Sequence, residues 1–233
     1  MGLKASWETV GEPVDPDSTD KLFFTDHEWA TVEAATARII PTDTDPGARE
    51  ARVVVFIDRY LSGIGFIFAA ADGSGFLKMT GRFADAWRDR QTRMQHTYRR
   101  GLAALDESTQ ASFGRDFVDL SESEQDRALE LFSGAPKPTK VTLGSSEAVT
   151  TFLQGTFDEG MDFFTALCLH TRQGFYCDPV YGGNKNHMGW EFIGFPGPKS
   201  LKDTMDGTYD THDYFEPTYD WDELIPHLKA NPA

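Results

Sequence analysis

The sequence predicts a mainly α fold: a helical domain followed by a long irregular C-terminal segment rich in glycine and aromatic residues. Three observations carry that expectation. Two helix starts are spelled out as capping boxes, Thr25 with Glu28 and Ser121 with Glu124, in which a hydroxyl and a carboxylate bond each other's free amides. Apolar residues such as Trp29, Val32 and Ala35, or Met94, Tyr98, Leu102 and Leu105, recur at the three- and four-residue spacing of a helix face. From Gly174 to Gly197 the chain instead reads GFYCDPVYGGNKNHMGWEFIGFPG, with few charges and no period of either 2 or 3.6.

The elements follow in order. Residues 1–22 are polar, contain Pro13 and Pro16, and read as an extended arm. The first helix starts at the Thr25 cap, where Phe24 and Trp29 occupy the two positions of a hydrophobic staple. Its apolar face is Trp29, Val32, Ala35, Ile39 and Ile40, and Pro41, which has no amide to donate, ends it. After the turn TDTDPG a second helix is expected over Ala48–Leu61, with Val53, Phe56, Ile57 and Tyr60 inward, making a helical hairpin. Ile64–Ala71 fits a helix or a buried strand equally well. A long helix over Phe83–Asp106 carries the stripe Phe83, Trp87, Met94, Tyr98, Leu102 and Leu105, and Phe113 and Phe117 anchor the connection beyond it.

The Ser121 capping box opens a helix to Phe132, stopped at Ser133-Gly134, and Pro136 and Pro138 stiffen the next linker. A further helix is expected within Ser145–Thr171, with Phe157, Met161, Phe164 and Cys168 on one face. The organisation is therefore an arm over 1–22, a helical domain over 23–173, and an irregular segment with an acidic tail over 174–233. In that tail Tyr209, Tyr214, Phe215, Tyr219 and Trp221 are interleaved with Asp206, Asp210, Asp213 and Asp220.

Composition narrows the partners. At 39% hydrophobic residues over 233 positions, the chain can bury a sizeable core. A formal net charge of -15 repels phosphate backbones and anionic lipid, which argues against nucleic acid and membrane surfaces. No segment approaches the ~20 apolar residues of a membrane helix, and the first twenty residues show neither an apolar signal core nor a twin arginine. Two cysteines, Cys168 and Cys177, are too few for a disulfide scaffold; they can pair together, pair with a partner, or stay buried.

No autonomous chemistry emerges from the motifs. Gly63-Ile64-Gly65 and Gly73-Ser74-Gly75 lack the third glycine and the Lys-Ser/Thr pair of a phosphate loop. Cys168, His170, Cys177 and His187 are zinc-ligand types without zinc-ligand spacing. There is no GxSxG elbow, and Asp178 disfavours a thiolate at Cys177. The acidic tail lacks the residue order of a calcium loop. A carboxylate pair assembled in space, as in a stand-alone helical hydrolase, stays open as an alternative, as does a general chaperone or scaffold for another protein.

What remains is Gly174–Gly197. Its glycines permit sharp turns and close backbone approach, and its aromatics are residue types that dominate interfaces. Asn184 can bridge backbone groups, and Pro179 and Pro196 hold the segment extended. The rings lie against either the chain's own core or another protein, and the partner-facing reading is preferred.

Two stretches together resemble a known family. The opening FFTDHEWATVEAATARIIPTDTDPGAREARVVVFIDRYL (residues 23–61) and the closing Asp178-Pro179, Tyr181-Gly182-Gly183-Asn184, Gly189-Trp190 and GFPG elements are similar to the gluconate 2-dehydrogenase subunit 3 family. They cover about a quarter of the chain. The resemblance implies a small, non-catalytic subunit of a periplasmic or membrane-associated sugar or polyol dehydrogenase. FAD is then expected in a partner flavoprotein of the glucose-methanol-choline type, none in this chain, and a cytochrome c subunit often accepts the electrons. The small subunit supports folding and export of its partner and typically carries a twin-arginine leader, from which this sequence departs. Phe175, Cys177, Asp178, Pro179, Tyr181, Gly182, Gly183, Asn184, Trp190, Phe195 and Pro196 are the expected docking residues.

Overall fold

The computed structural model describes residues 18–70, 75–135, 160–195 and 197. Six helices account for most of them: α1 (Asp26–Ile39), α2 (Val53–Ser62), α3 (Gly81–Phe113), α4 (Glu122–Ser133), α5 (Phe163–Tyr176) and the short α6 (Met188–Phe192). Among the described residues there is no β-strand, only an isolated antiparallel bridge between Ala69 and Phe76. Pro136, Pro138 and the expected helical stretch before residue 160 lie outside the described residues.

Both capping boxes form. Thr25 accepts from the Glu28 amide while the Glu28 carboxylate accepts from Thr25, and Ser121 and Glu124 do the same at α4. Acids in each first turn also suit the positive end of the helix dipole. The α1 face is as expected: Val32 and Ala35 are fully buried, with Trp29, Ile39 and Ile40 packed at its margins.

The centre of the molecule is α2. Every residue from Val53 to Arg59, and Leu61 as well, is buried, so this helix is enclosed rather than amphipathic. It packs chiefly on α5 and α1. Its start differs from the expected Ala48, because Ala48–Arg52 forms a series of turns ending at left-handed Arg52 (φ 54°). Two contacts divert that segment. The Glu50 carboxylate holds the Gly47 amide and the Thr42 hydroxyl, and the Ala51 carbonyl accepts from the Lys185 amide across the molecule.

Asp58 on α2 is fully buried. Its carboxylate accepts from the backbone amides of Leu22, Phe23 and Phe24 at 2.7, 3.0 and 2.8 Å, fastening the chain entering α1 onto the central helix. Alongside it, Arg99 of α3 donates to the Phe23 carbonyl, pairs with Glu28 and lies over the Phe23 ring. Arg38 of α1 makes a two-pronged pair with Asp126 of α4, at 2.8 and 2.9 Å, and a third contact to Glu122.

At 33 residues, α3 runs past the expected Asp106 to Phe113 and stops at left-handed Gly114. Its buried face includes Met94, Tyr98, Leu102 and Leu105, whereas Phe83, expected on that stripe, is 45% exposed. Over its described residues 64–70 this stretch is neither of its two alternatives: Ile64–Phe66 forms a 3-10 turn and Ala69 makes the bridge to Phe76. The helix α5 begins just after Asp162, whose carboxylate accepts from the Thr165 amide as its cap, and it continues to Tyr176. Met161 therefore precedes the helix. The buried face is Phe163, Ala166, Leu167, His170, Thr171, Gly174 and Phe175, which leaves Phe164 and Cys168 only half-buried.

A pH-sensitive contact joins α1 to α3. His27 Nε2 lies 2.7 Å from Asp106 Oδ2, and Asp106 Oδ1 accepts from the Phe117 amide. The hydrogen bond to Asp106 raises the His27 pKa, more than partial burial lowers it. A raised histidine pKa contributes stability that is present below the unfolded value of about 6.5 and is lost as pH rises through the folded value. His27→Ala is therefore expected to lower the urea midpoint at pH 5.5 more than at pH 8.5. The change should stay under about 1 kcal/mol, because the imidazole is half exposed. Equal loss at both pH values would contradict the contact.

Candidate functional site

The last turn of α5 and the residues after it fold back onto α2 and the Ala48–Arg52 turn. Asp178 ends the descent from α5: its carboxylate accepts from the Val180 amide at 2.9 Å, and Pro179 opens a 3-10 turn to Tyr181. The Tyr181 oxygen accepts from the Ala69 amide, and its ring meets Phe76 edge-on, which ties this turn to the bridge region.

Two glycines make the next step possible. Gly182 adopts φ +100° against Val55 and Arg59 of α2. At Gly183 an added Cβ would stand 2.1 Å from the Gly174 carbonyl oxygen of α5, so only a bare backbone fits. Asn184, fully buried, locks the turn: Nδ2 donates to the Cys177 carbonyl at 2.7 Å and Oδ1 accepts from the Gly189 amide at 2.8 Å. Gly189 lies against the Phe175 carbonyl, where a Cβ would come within 2.0 Å. Gly183→Ala is expected to cost about 3 kcal/mol of stability, since the clash is with backbone that cannot rotate away. Its urea midpoint, compared with that of Gly65→Ala, where a Cβ meets nothing and the backbone is not left-handed, checks this.

Between these contacts Asn184, Asn186 and His187 all hold positive φ, at 47°, 55° and 61°. Left-handed backbone at three non-glycine residues within four positions is sustained only where surrounding packing over-determines it. The packing is visible at Trp190, which is 6% exposed, donates from Nε1 to the Tyr176 carbonyl at 2.8 Å, and lies between Phe195 and His187. Gly197 packs so closely on its six-membered ring that a Cβ there would stand 2.2 Å from it.

The expected docking residues thus come together as one body. Phe175, Gly182, Gly183, Asn184 and Trp190 are buried within it, while Cys177, Asp178, Pro179, Tyr181 and Phe195 are half-buried around it. Pro196 lies outside the described residues. The outward side belongs to residues not singled out from sequence as docking residues: Tyr176, Phe192 and Ile193 are 37%, 57% and 55% exposed. Phe192 follows inward-facing Trp190 by two positions, about 200° around a helix, which turns it to solvent. That signal was present in the sequence once α6 was known to be a helix.

Both cysteines are free thiols. Nine residues of mostly helical chain set them about 13 Å apart along the axis, well beyond the roughly 7 Å Cα separation a disulfide tolerates. Burial pushes the Cys168 thiol up to about 11 and that of Cys177 to about 12, so neither supplies thiolate at neutral pH. Of the zinc-ligand types, His170 is fully buried with Nδ1 2.8 Å from the Tyr98 hydroxyl. Among the described residues no group of three or more His, Cys, Asp or Glu is placed to hold a metal.

A separate open trough of about 780 Å³ runs between the outer face of α3 and residues 161–163. It includes two acids, Glu107 and Asp162. Burial raises the Asp162 carboxyl, but hydrogen bonds from the Thr165 hydroxyl and nearby amides outweigh it and hold the group below its usual range. A raised carboxyl, which an acid catalyst needs, is therefore not what Asp162 provides.

A family model described as gluconate 2-dehydrogenase subunit 3 matches residues 26–197, from the first residue of α1 to the glycine against Trp190. The chain belongs to the gluconate 2-dehydrogenase subunit 3 family. It is thereby related to a subunit of a multi-subunit dehydrogenase, and the match takes in the whole glycine-locked body. No curated protein and no solved structure matches the chain. Among the described residues no helix of this family member is long and apolar enough to cross a membrane.

Proposed function

We propose that this chain is the non-catalytic small subunit of an FAD-dependent, glucose-methanol-choline type sugar or glycoside dehydrogenase. In this reading it stabilises the flavoprotein subunit in the periplasm or cell envelope, and Gly174–Gly197 is its docking element. One observation carries the reading. The family match ends on a segment whose interior is fixed by Gly183, Asn184, Gly189 and Trp190 while Tyr176, Phe192 and Ile193 face outward. Exposed large apolar side chains on a pre-organised backbone lose little entropy on association, which favours a protein partner. The buried docking residues shape the platform, and the exposed ones make the contact.

Co-expression with the product of the neighbouring reading frame, followed by affinity capture through this chain, tests the proposal. The expected result is a captured complex that shows flavin absorbance and reduces a dye with sugar, whereas the chain purified alone does neither. Flavin absorbance or dye-linked sugar oxidation by the chain alone would overturn it.

A further inference from the structure

The trough on α3 has a floor and one end of different character. Ala103, Ala104 and the Phe163 ring form a low apolar floor, and Arg93, His96 and Arg100 gather at the end nearer the start of α3. Of the two acids along it, Asp162 has its oxygens engaged by the Thr165 amide and hydroxyl, and Glu107 stands about two turns beyond Arg100. The cationic end belongs to a wider bias. From Gly81 to Arg100, α3 carries six arginines against two aspartates, in a chain where acids outnumber bases 37 to 22. Charge of this sign, rimming small apolar residues, suits an extended segment that is both acidic and aromatic.

The chain contains such a segment. Residues 206–223 hold seven acids, no lysine or arginine, and the five rings of Tyr209, Tyr214, Phe215, Tyr219 and Trp221. Its reach is sufficient. Gly197 is fixed against Trp190, whose indole bonds the last turn of α5, and the trough lies at the first turn of the same helix. That helix spans about 20 Å, and the eleven residues 198–208 extend to about 36 Å. We propose that the trough between α3 and the start of α5 is the seat of the chain's own acidic, aromatic segment Asp206–Glu223. This interaction is independent of the partner subunit's identity.

The test uses the full chain with Thr97→Cys in the trough and Thr211→Cys in the segment, in a background of Cys168→Ala and Cys177→Ala because both native thiols are only half-buried. Mild oxidation is expected to give an intramolecular disulfide, mapped by peptide mass and by unchanged mobility as a monomer. Adding Arg93→Glu and Arg100→Glu, or raising salt to about 0.5 M, should reduce its yield about fivefold, because exposed charge pairs are screened. Circular dichroism melts confirm that each variant is folded. Three results overturn the proposal: no cross-link in a folded variant, a cross-link found only between two chains, or a Thr97→Cys cross-link to Ser146→Cys with none to Thr211→Cys.

Discussion

Trp190→Ala is expected to destabilise the isolated subunit by about 3–5 kcal/mol, the range for removing a large buried aromatic. The ring is 6% exposed, its indole N–H satisfies the Tyr176 carbonyl, and Gly197 and Phe195 pack on it. Truncation opens a cavity and also orphans that carbonyl at the end of α5. The loss should appear as a lower urea midpoint in the subunit alone, before any partner is added. Trp190→Phe, which keeps most of the volume but not the donor, should lose clearly less. An alanine variant that unfolds with the wild type would place the ring's role in a partner contact rather than in the chain's own packing.

Asp58→Ala is the second large effect, expected at about 3–5 kcal/mol. The side chain is fully buried and is shared by three consecutive backbone amides, those of Leu22, Phe23 and Phe24. Alanine leaves these donors without their acceptor, the Phe24 amide in a buried position and the other two partly buried, which costs more than losing the bonds themselves. Asp58→Asn should lose clearly less, because its Oδ1 can still accept from the Phe23 and Phe24 amides while its amide nitrogen meets only the Leu22 donor. Hydrogen exchange gives the local readout: the amides of residues 22–24 should lose protection in the alanine variant. Retained protection at those three amides would contradict the assignment.

Local signals in the sequence were reliable where the physics is local. The capping boxes at Thr25 and Ser121, the stop at Pro41, the Gly134 terminus and the apolar face of α1 all appear as read. Boundaries moved where distant contacts decide them. The α2 start slid to Val53 because Ala51 bonds Lys185, more than a hundred residues away, and no window around Ala48 contains that information. Likewise α5 ran on to Tyr176, since Gly174, which reads as a helix breaker, is tolerated where Phe56 crowds close against it.

The candidate site was legible as a region and not as a surface. Glycine, aromatic and Asn184 content marked 174–197, but which rings face inward depends on the short helix α6 and on left-handed backbone at Asn184, Asn186 and His187. Asp58 gave no signal at all: one aspartate inside an apolar run looks like a solvent-facing position until residues 22–24 are seen to lie across it.

The central claim is that the outward edge of this glycine-locked body docks the flavoprotein subunit. Affinity capture of the co-expressed flavoprotein by the double variant Phe192→Asp, Ile193→Asp tests it most directly. Both side chains are more than half exposed, so the variant should melt with the wild type. The account predicts loss of most captured flavin absorbance at unchanged stability, as two charges on a desolvated contact each cost about 2 kcal/mol or more of binding. Full capture of flavin-bearing partner by the double variant would contradict it.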